Sequence, residues 1–343
     1  MPTLPMADKN VIHSPHILLL GAGASVAACS QGDKNGNRLP VMDNLIEVLD
    51  LQDILKRENI SCTSKNFEEL YDDLVSNEKY HSISKDIEER VCHYFSEIEI
   101  PDAPTIYDYL ILSLRKKDLI ASFNWDPLLL QAYRRNIKIR RLPQLVFLHG
   151  NVGQGVCYED KKIGYINTLC EKCMRPLRPV KLLYPIRHKD YSSDLLLKDQ
   201  WNRLRNHLRI GYWFTMFGYS APLSDVDAKE LMLEVWKRNS TRELAQIEII
   251  DIKSGQELKA SWDEFIVRQH YGICRDFFDS YLCEYPRRSC EALAAATLMS
   301  NPWRKNKFPK AETLSELHNW IQPLLEEEIK YEKYKEPFKY MTN

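Results

Sequence analysis

The chain has no surplus of charge of either sign. Lysine and arginine number 47 against 48 aspartates and glutamates, a formal net charge of −1 at pH 7. That balance gives no electrostatic reason to expect nucleic acid or an anionic membrane surface as a partner of the whole chain. Long apolar runs are missing as well. The most apolar stretch, HILLLGAGASVAA (16–28), is too short and too rich in Gly and Ala to span a bilayer. The start, MPTLPMADKNVIHSP, lacks a basic segment followed by an apolar core, so no leader is expected. Nine cysteines is an odd number, and apart from one Cys-x-x-Cys they are scattered. This argues against a disulfide framework and for a reducing, cytoplasmic setting. Neither a repeat of fixed period nor a low-complexity tract occurs in the 343 residues.

What is present is ordinary for a folded globular protein: 44% hydrophobic and 28% charged residues, enough chain for one large α/β domain or two smaller ones. Five short apolar runs read as buried strands: HILLL (16–20), DLIASF (118–123), LVFLHG (145–150), YWFTMFG (212–218) and IEIIDI (247–252). Helical patterns lie between them, which predicts a parallel sheet covered by helices on both faces. The stretch 43–117 reads as a helical insertion, with DNLIEVLDLQDILKRE as one of its helices. A second insertion, 151–180, holds Gly, Lys and Cys and is expected to be irregular. In SDVDAKELMLEVWKR (224–238), Ala228, Leu231, Met232, Val235 and Trp236 fall on one helical face, with Ser224 or Asp225 as cap. The tail from 284 is partly helical, and Pro323 should bend or break its last helix.

In parallel sheets ligands bind beyond the carboxyl ends of the strands. After the first strand comes Gly21-Ala22-Gly23-Ala24-Ser25, either a phosphate cradle or a packing turn, since the full G-x-G-x-x-G spacing is absent. After the second comes Asn124-Trp125-Asp126-Pro127. Asp126 before Pro127 suits a helix cap, while a polar Asn124 at a buried strand end needs hydrogen-bond partners that a ligand would supply. His149 follows the third strand, Gly218-Tyr219-Ser220 the fourth and Asp251 the fifth. His149 suits a general base near neutrality. Asp251 suits a ribose hydroxyl or a plain turn.

In order, GAGAS, FNWD, LHG, CEKCMRPLRP, GYS and the strand ending in Asp251 resemble the sirtuin superfamily over residues 16–252. There are departures: Phe123 stands where deacylases carry Gln, and Trp125-Asp126 where they carry Ile-Asp. Arg38–Asp43 only loosely echoes their cofactor loop. These departures, and the string Gly-Tyr-Ser-x-Pro-x-Ser-Asp (218–225), look like the sirtuin-like NAD-hydrolysing effectors of bacterial antiphage defence. The resemblance implies a Rossmann-like NAD-binding catalytic domain over 1–283 and a C-terminal helical extension over 284–343. It implies an NAD+ glycohydrolase in which Asn124, His149 and Asp126 carry activity. Gly21, Ala22, Gly23, Ala24 and Ser25 would hold the pyrophosphate, and Gly218, Ser220 and Asp251 would lie at the adenosine half. It also implies a zinc-ribbon-derived module. Cys157, Cys170 and Cys173 would hold zinc if Asp160 or His188 supplied a fourth ligand; otherwise they are free thiols. The alternatives are a protein lysine deacylase and a non-catalytic NAD or ADP-ribose sensor. Since a free NAD hydrolase would drain its own cell, gating is expected through a homo-oligomer or through a helicase-like ATPase or Argonaute-like partner. The tail is either that contact surface or a helix closing the domain's own core.

Overall fold

The computed structural model describes residues 14–60, 66–186, 191, 194–221 and 225–334. A six-stranded parallel sheet runs through it in the order β3-β2-β1-β7-β8-β9. Its strands are β1 (His16–Leu20), β2 (Leu119–Ser122), β3 (Gln144–Phe147), β7 (Trp213–Phe217), β8 (Gln246–Ile250) and β9 (Tyr271–Cys274). Five of these are the apolar runs read from sequence. The sixth, YGIC, escaped notice because an edge strand is only partly buried and carries no continuous apolar run. Counted within the sheet alone, the order is the doubly wound one, and the direction of winding reverses between β1 and β7.

Alternation along the strands divides the core into two layers. Leu18, Leu20, Ile120 and Phe147 face one layer, while Ile17, Leu19, Leu119 and Val146 face the other. The first layer is covered by the insertion, whose helices include Phe67–Val75, His81–Ser96 and Ile106–Ser113, and by Leu128–Asn136. The second is covered by Leu195–Leu208, Val226–Lys237 and Gly255–Trp262. The single helix expected over DNLIEVLDLQDILKRE is instead two short ones, Leu45–Val48 and Gln52–Arg57, broken where Asp50 takes φ +50°.

Residues 151–180 are not irregular as expected. They form a small antiparallel sheet, β5-β4-β6, from β4 (Gln154–Cys157), β5 (Lys162–Tyr165) and β6 (Arg178–Pro179). Pro323 does not end the last helix, which runs from Leu314 to Tyr334. Leu317, Ile321, Leu324 and Leu325 on that helix enter the same apolar cluster as Leu110 and Phe308, and this burial outweighs the one backbone bond the proline removes. The tail therefore completes the domain's own core, and packing continues across residue 284. A buried ion pair, Arg287 with Glu328, locks it; Arg287 also donates to the carbonyls of Leu114 (2.8 Å) and Arg141 (2.9 Å).

Candidate active site and metal centre

A cavity of about 430 Å³ opens at the carboxyl end of the sheet, a size that suits a small-molecule ligand. It is walled by the residues that follow β1, β2, β3, β7 and β8, by Pro40–Asp43 at the entry to the helical insertion, and by Asn66, Glu68 and Phe95 within it. Of the residues singled out from sequence, Gly21, Ala22, Gly23, Ser25, Asn124, Asp126, His149, Gly218, Ser220 and Asp251 all reach it. Ala24 does not: it is wholly buried, and its amide donates to the Gly21 carbonyl at 3.0 Å. That corrects its expected place in the cradle.

The glycines after β1 are explained first by packing. A Cβ on Gly21 would lie 2.5 Å from the Gly218 carbonyl oxygen, and one on Gly218 (φ +60°) would lie 2.3 Å from the Ala24 nitrogen. The turns after β1 and β7 are thus interlocked, at the point where the sheet's winding reverses. Their amides are engaged in the same way, Gly21 N–H with the Phe217 carbonyl and Gly23 N–H with the Gly218 carbonyl, both at 3.0 Å. So Gly21 and Gly23 shape the floor of the cavity and do not offer it their amides. This corrects the expectation that the whole loop presents N–H groups to a phosphate. Among the described residues, the Ala22 amide has no such carbonyl partner.

Beneath this floor, four side chains from three elements share one network. The Ser25 hydroxyl donates to Asp126 Oδ2 at 2.6 Å. A hydroxyl has one proton, so the Tyr107 hydroxyl, 2.7 Å away, donates to Ser25. Asn124 Nδ2 donates to the Gly21 carbonyl (2.8 Å) and, with its other proton, to Ser25 Oγ (2.8 Å) and Tyr107 Oη (3.1 Å). Ser25 Oγ then makes one donor and two acceptor contacts, which is its full capacity. Its expected hydroxyl bond to a phosphate is therefore already spent inside the protein. Asp126 Oδ1 also accepts from Leu128 N at 3.1 Å, so the capping and site roles of Asp126 coexist. Burial pushes the Asp126 carboxyl up to about 6, opposed by the Ser25 and Leu128 hydrogen bonds. Burial likewise keeps the Tyr107 phenol neutral, raised well above its ordinary value.

His149 stands across the cavity. Its Nε2 lies 3.7 Å from Asp225 Oδ1, and Phe123 meets its ring edge-on with centroids 4.6 Å apart. Phe123 in turn stacks on Tyr219, whose hydroxyl donates to Asp225 Oδ2 at 2.9 Å. Asp225 makes no side-chain cap on its helix; it turns into the cavity instead, which corrects one of the two expected caps. The other, Ser224, lies outside the described residues, as does His188. Asp251 lines the cavity and also accepts from Lys253 N at 3.0 Å, so its turn role is real.

The small sheet gathers Cys157, Asp160, Cys170 and Cys173, with their ligand atoms all within 4.8 Å of one another. Cys157 Sγ is 3.6 Å from both Cys173 Sγ and Asp160 Oδ2, and Cys170 Sγ is 3.5 Å from Asp160 Oδ2. Zinc bonded to sulfur at about 2.3 Å and to oxygen at about 2.0 Å sets tetrahedral edges of about 3.5–3.8 Å, so the donor set fits a zinc ion. Among the described residues, Asp160 stands in the place of the fourth donor. Its carboxyl is held down at about 2 by the Lys172 ammonium 2.8 Å away, and so is ionised.

No family model matches the chain, and no curated protein matches it. Solved structures similar to the chain include Sir2 proteins. A Sir2 homologue in complex with NAD is 16% identical, covering 86% of this chain and 93% of its own at a TM-score of 0.40. Sir2 bound to acetylated peptide is 14% identical, covering 87% of this chain and 99% of its own at 0.37. A mutant Sir2 homologue in complex with ADP-ribose is 14% identical, covering 77% and 95% at 0.38. Likenesses this remote assign neither family nor activity.

Two residues of the site were not legible beforehand as part of it. Tyr107 comes from the helix Ile106–Ser113, far from any strand end in sequence. Its one signal was that a tyrosine in so apolar a helix, if buried, needs a partner for its hydroxyl. Asp225 read as a cap, because its neighbours form a helix and nothing local reveals that Tyr219 and His149 face it.

Proposed function

We propose that the chain is an NAD+ glycohydrolase that breaks the bond between nicotinamide and C1 of its ribose, releasing nicotinamide and ADP-ribose. The observation that carries this reading is the meeting of Asn124 and His149 on one cavity where the sheet's winding reverses, within sirtuin-like motifs. The wall's charge supports it. Asp43, Glu68, Asp126, Asp225 and Asp251 line the cavity, and among the described residues Lys253 is the one lysine or arginine in its lining. Nicotinamide in NAD+ is cationic, and C1 gains positive charge as the bond breaks, so surrounding carboxylates favour the transition state.

In this reading water attacks C1. The electron pair of the C1–N bond passes to the departing nicotinamide, and His149 takes the water's proton. Asp225, 3.7 Å from the ring nitrogen, then stabilises the imidazolium. Asn124 orients the water or the ribose through its carboxamide oxygen. The Ala22 amide and Lys253 are donors on the wall for the pyrophosphate, and Ser220 and Asp251 meet the adenosine half. Cys157, Asp160, Cys170 and Cys173 would hold zinc, which would brace the small sheet. We further place the enzyme as a gated effector of antiphage defence in the cytoplasm, controlled by self-assembly or by a helicase-like or Argonaute-like partner.

One observation favours a second reading, a protein lysine deacylase. With Asp160 completing the donor set, the thinned cysteine pattern no longer counts against an intact zinc module. The test is to incubate purified protein with NAD+ and no peptide and to follow nicotinamide, with Asn124→Ala as control. Release that the substitution abolishes supports the hydrolase. Release only on adding an acylated peptide overturns it in favour of the deacylase, and tight NAD+ binding without release under either condition or with partners added overturns both.

A further inference from the structure

The Asn124 carboxamide can stand either way round in its slot, and only one way leaves its oxygen for the cavity. The Gly21 carbonyl selects the nitrogen on one side by accepting at 2.8 Å. On the other side stand two hydroxyls, each able to donate or accept. A hydroxyl pair selects nothing unless something fixes the direction of its protons.

That direction is fixed by Asp126 and Tyr107. Asp126 takes the Ser25 proton at 2.6 Å, which leaves Ser25 Oγ with only lone pairs for its other neighbours. Tyr107 donates into one of them at 2.7 Å, and its own oxygen then turns a lone pair toward Asn124 at 3.1 Å. Both hydroxyl oxygens therefore present acceptors to Asn124, and its nitrogen must face them. We propose that Tyr107 is a positioning residue for Asn124: its hydroxyl, held by Ser25, fixes the carboxamide so that the oxygen faces the cavity. This deepens the hydrolase reading and rests on it for the catalytic consequence, though not for the geometry.

The helix carrying Tyr107 is well anchored for such a task. Thr105 and Asp108 form a reciprocal cap at its start, with Asp108 Oδ2 accepting from Thr105 N at 2.7 Å. Asp108 Oδ1 also accepts from Asn136 Nδ2 at 2.7 Å and from Arg135 Nε at 2.7 Å, which ties the helix to Leu128–Asn136. The Tyr107 ring is fully buried, so the hydroxyl has one place to be.

Tyr109 provides a matched control. It is buried on the same helix, and its hydroxyl accepts from Ala311 N at 2.8 Å, away from the cavity. Tyr107→Phe and Tyr109→Phe each delete one buried hydroxyl and keep the ring. We expect Tyr107→Phe to lower kcat for nicotinamide release by about 10- to 100-fold while KM for NAD+ stays within about twofold. Tyr109→Phe should leave both unchanged. The second readout needs no turnover: hydrogen exchange at the Asn124 side-chain amide, followed by NMR in the full chain and assigned with Asn124→Ala. Exchange should quicken in Tyr107→Phe and not in Tyr109→Phe. Ser25→Ala should quicken it as well, and the double variant should add little to either single change. Unchanged Asn124 exchange in Tyr107→Phe overturns the proposal whether or not the protein cleaves NAD+. Equal effects of the two tyrosine substitutions overturn it too. Absence of turnover in the wild type, with the exchange result intact, overturns only the hydrolase reading.

Discussion

The two ends of the parallel sheet each bury a cluster of hydroxyls, acids and a histidine, and only one cluster has anything to reach. At the amino end the His16 ring lies between Ser289 Oγ at 2.7 Å and Thr215 Oγ1 at 2.8 Å. Thr215 donates to Glu248 at 3.1 Å, and Glu248 accepts from Tyr281 N at 2.8 Å. A serine on a histidine backed by an acid has the composition of a nucleophilic relay. Yet every member from His16 to Glu248 is buried, and both ring nitrogens are engaged. At the carboxyl end Asn124, Asp126 and His149 are also less than a tenth exposed, but they border the cavity. What separates a site from a strut here is the edge of the sheet on which the cluster lies.

The sharpest way to break this comparison is to damage both ends and read both activity and stability. Asn124→Ala should cut nicotinamide release per folded molecule by about 10²-fold or more. His16→Ala should leave turnover per folded molecule intact and destabilise the chain by about 2–4 kcal/mol, measured by urea unfolding. A folded His16→Ala protein without turnover would erase the distinction.

An ion pair within the tail, Arg287 with Glu328, braces the amino end of the sheet through the carbonyls of Leu114 and Arg141. Arg287→Met leaves Glu328 buried and unpaired and should cost about 3–5 kcal/mol in denaturant unfolding. The metal centre sharpens the other side. Purified protein should carry about one zinc per chain, read by elemental analysis, and Cys170→Ser should abolish it and lower the melting temperature.

The effects of pH divide the two ends most cleanly. Burial raises Asp126 to about 6 and Glu248 to about 7, so in each case the folded protein holds its proton more tightly than the unfolded chain does. Stability from each is present in acid and lost as pH rises, through about 6 for Asp126 and about 7 for Glu248, a cost of about 3 kcal/mol apiece. Glu248→Gln should flatten the stability profile near pH 7 and leave turnover alone. Asp126→Asn should raise stability at pH 7.5 and abolish turnover, because its amide would donate to Ser25 and reverse the order of protons. In the wild type, turnover should fall as pH drops below about 6 while stability rises.

Much of the fold was legible because burial on both faces makes parallel strands continuous apolar runs, as in HILLL and IEIIDI. YGIC was missed because β9 is a partly exposed edge. The strands of 151–180 were missed because Gly155 and Gly164 sit opposite each other where apolar alternation would otherwise show. The site was legible wherever its residues follow a strand directly: Asn124, Asp126, His149. Strand ends say where a residue stands and not what it touches. So the saturation of Ser25, the engagement of Gly21 and Gly23 and the entry of Tyr107 and Asp225 stayed hidden. Most of these depend on contacts between segments far apart in sequence, such as Ser25 with Asp126 and Gly21 with Phe217. The metal donors were legible because Cys157, Asp160, Cys170 and Cys173 lie close together along the chain.

The helix Leu314–Tyr334 is the last of the described elements to leave the ribosome, yet Leu317, Ile321, Leu324 and Leu325 fill the cluster that begins with β1. During translation the sheet and the helix bearing Tyr107 wait with an open apolar flank until those residues emerge. A message cut short before them would yield a nascent chain whose first layer has no lid, a natural client for chaperones and proteases. The layer of the core that holds Tyr107 is therefore closed only once the helix Leu314–Tyr334 has packed onto it.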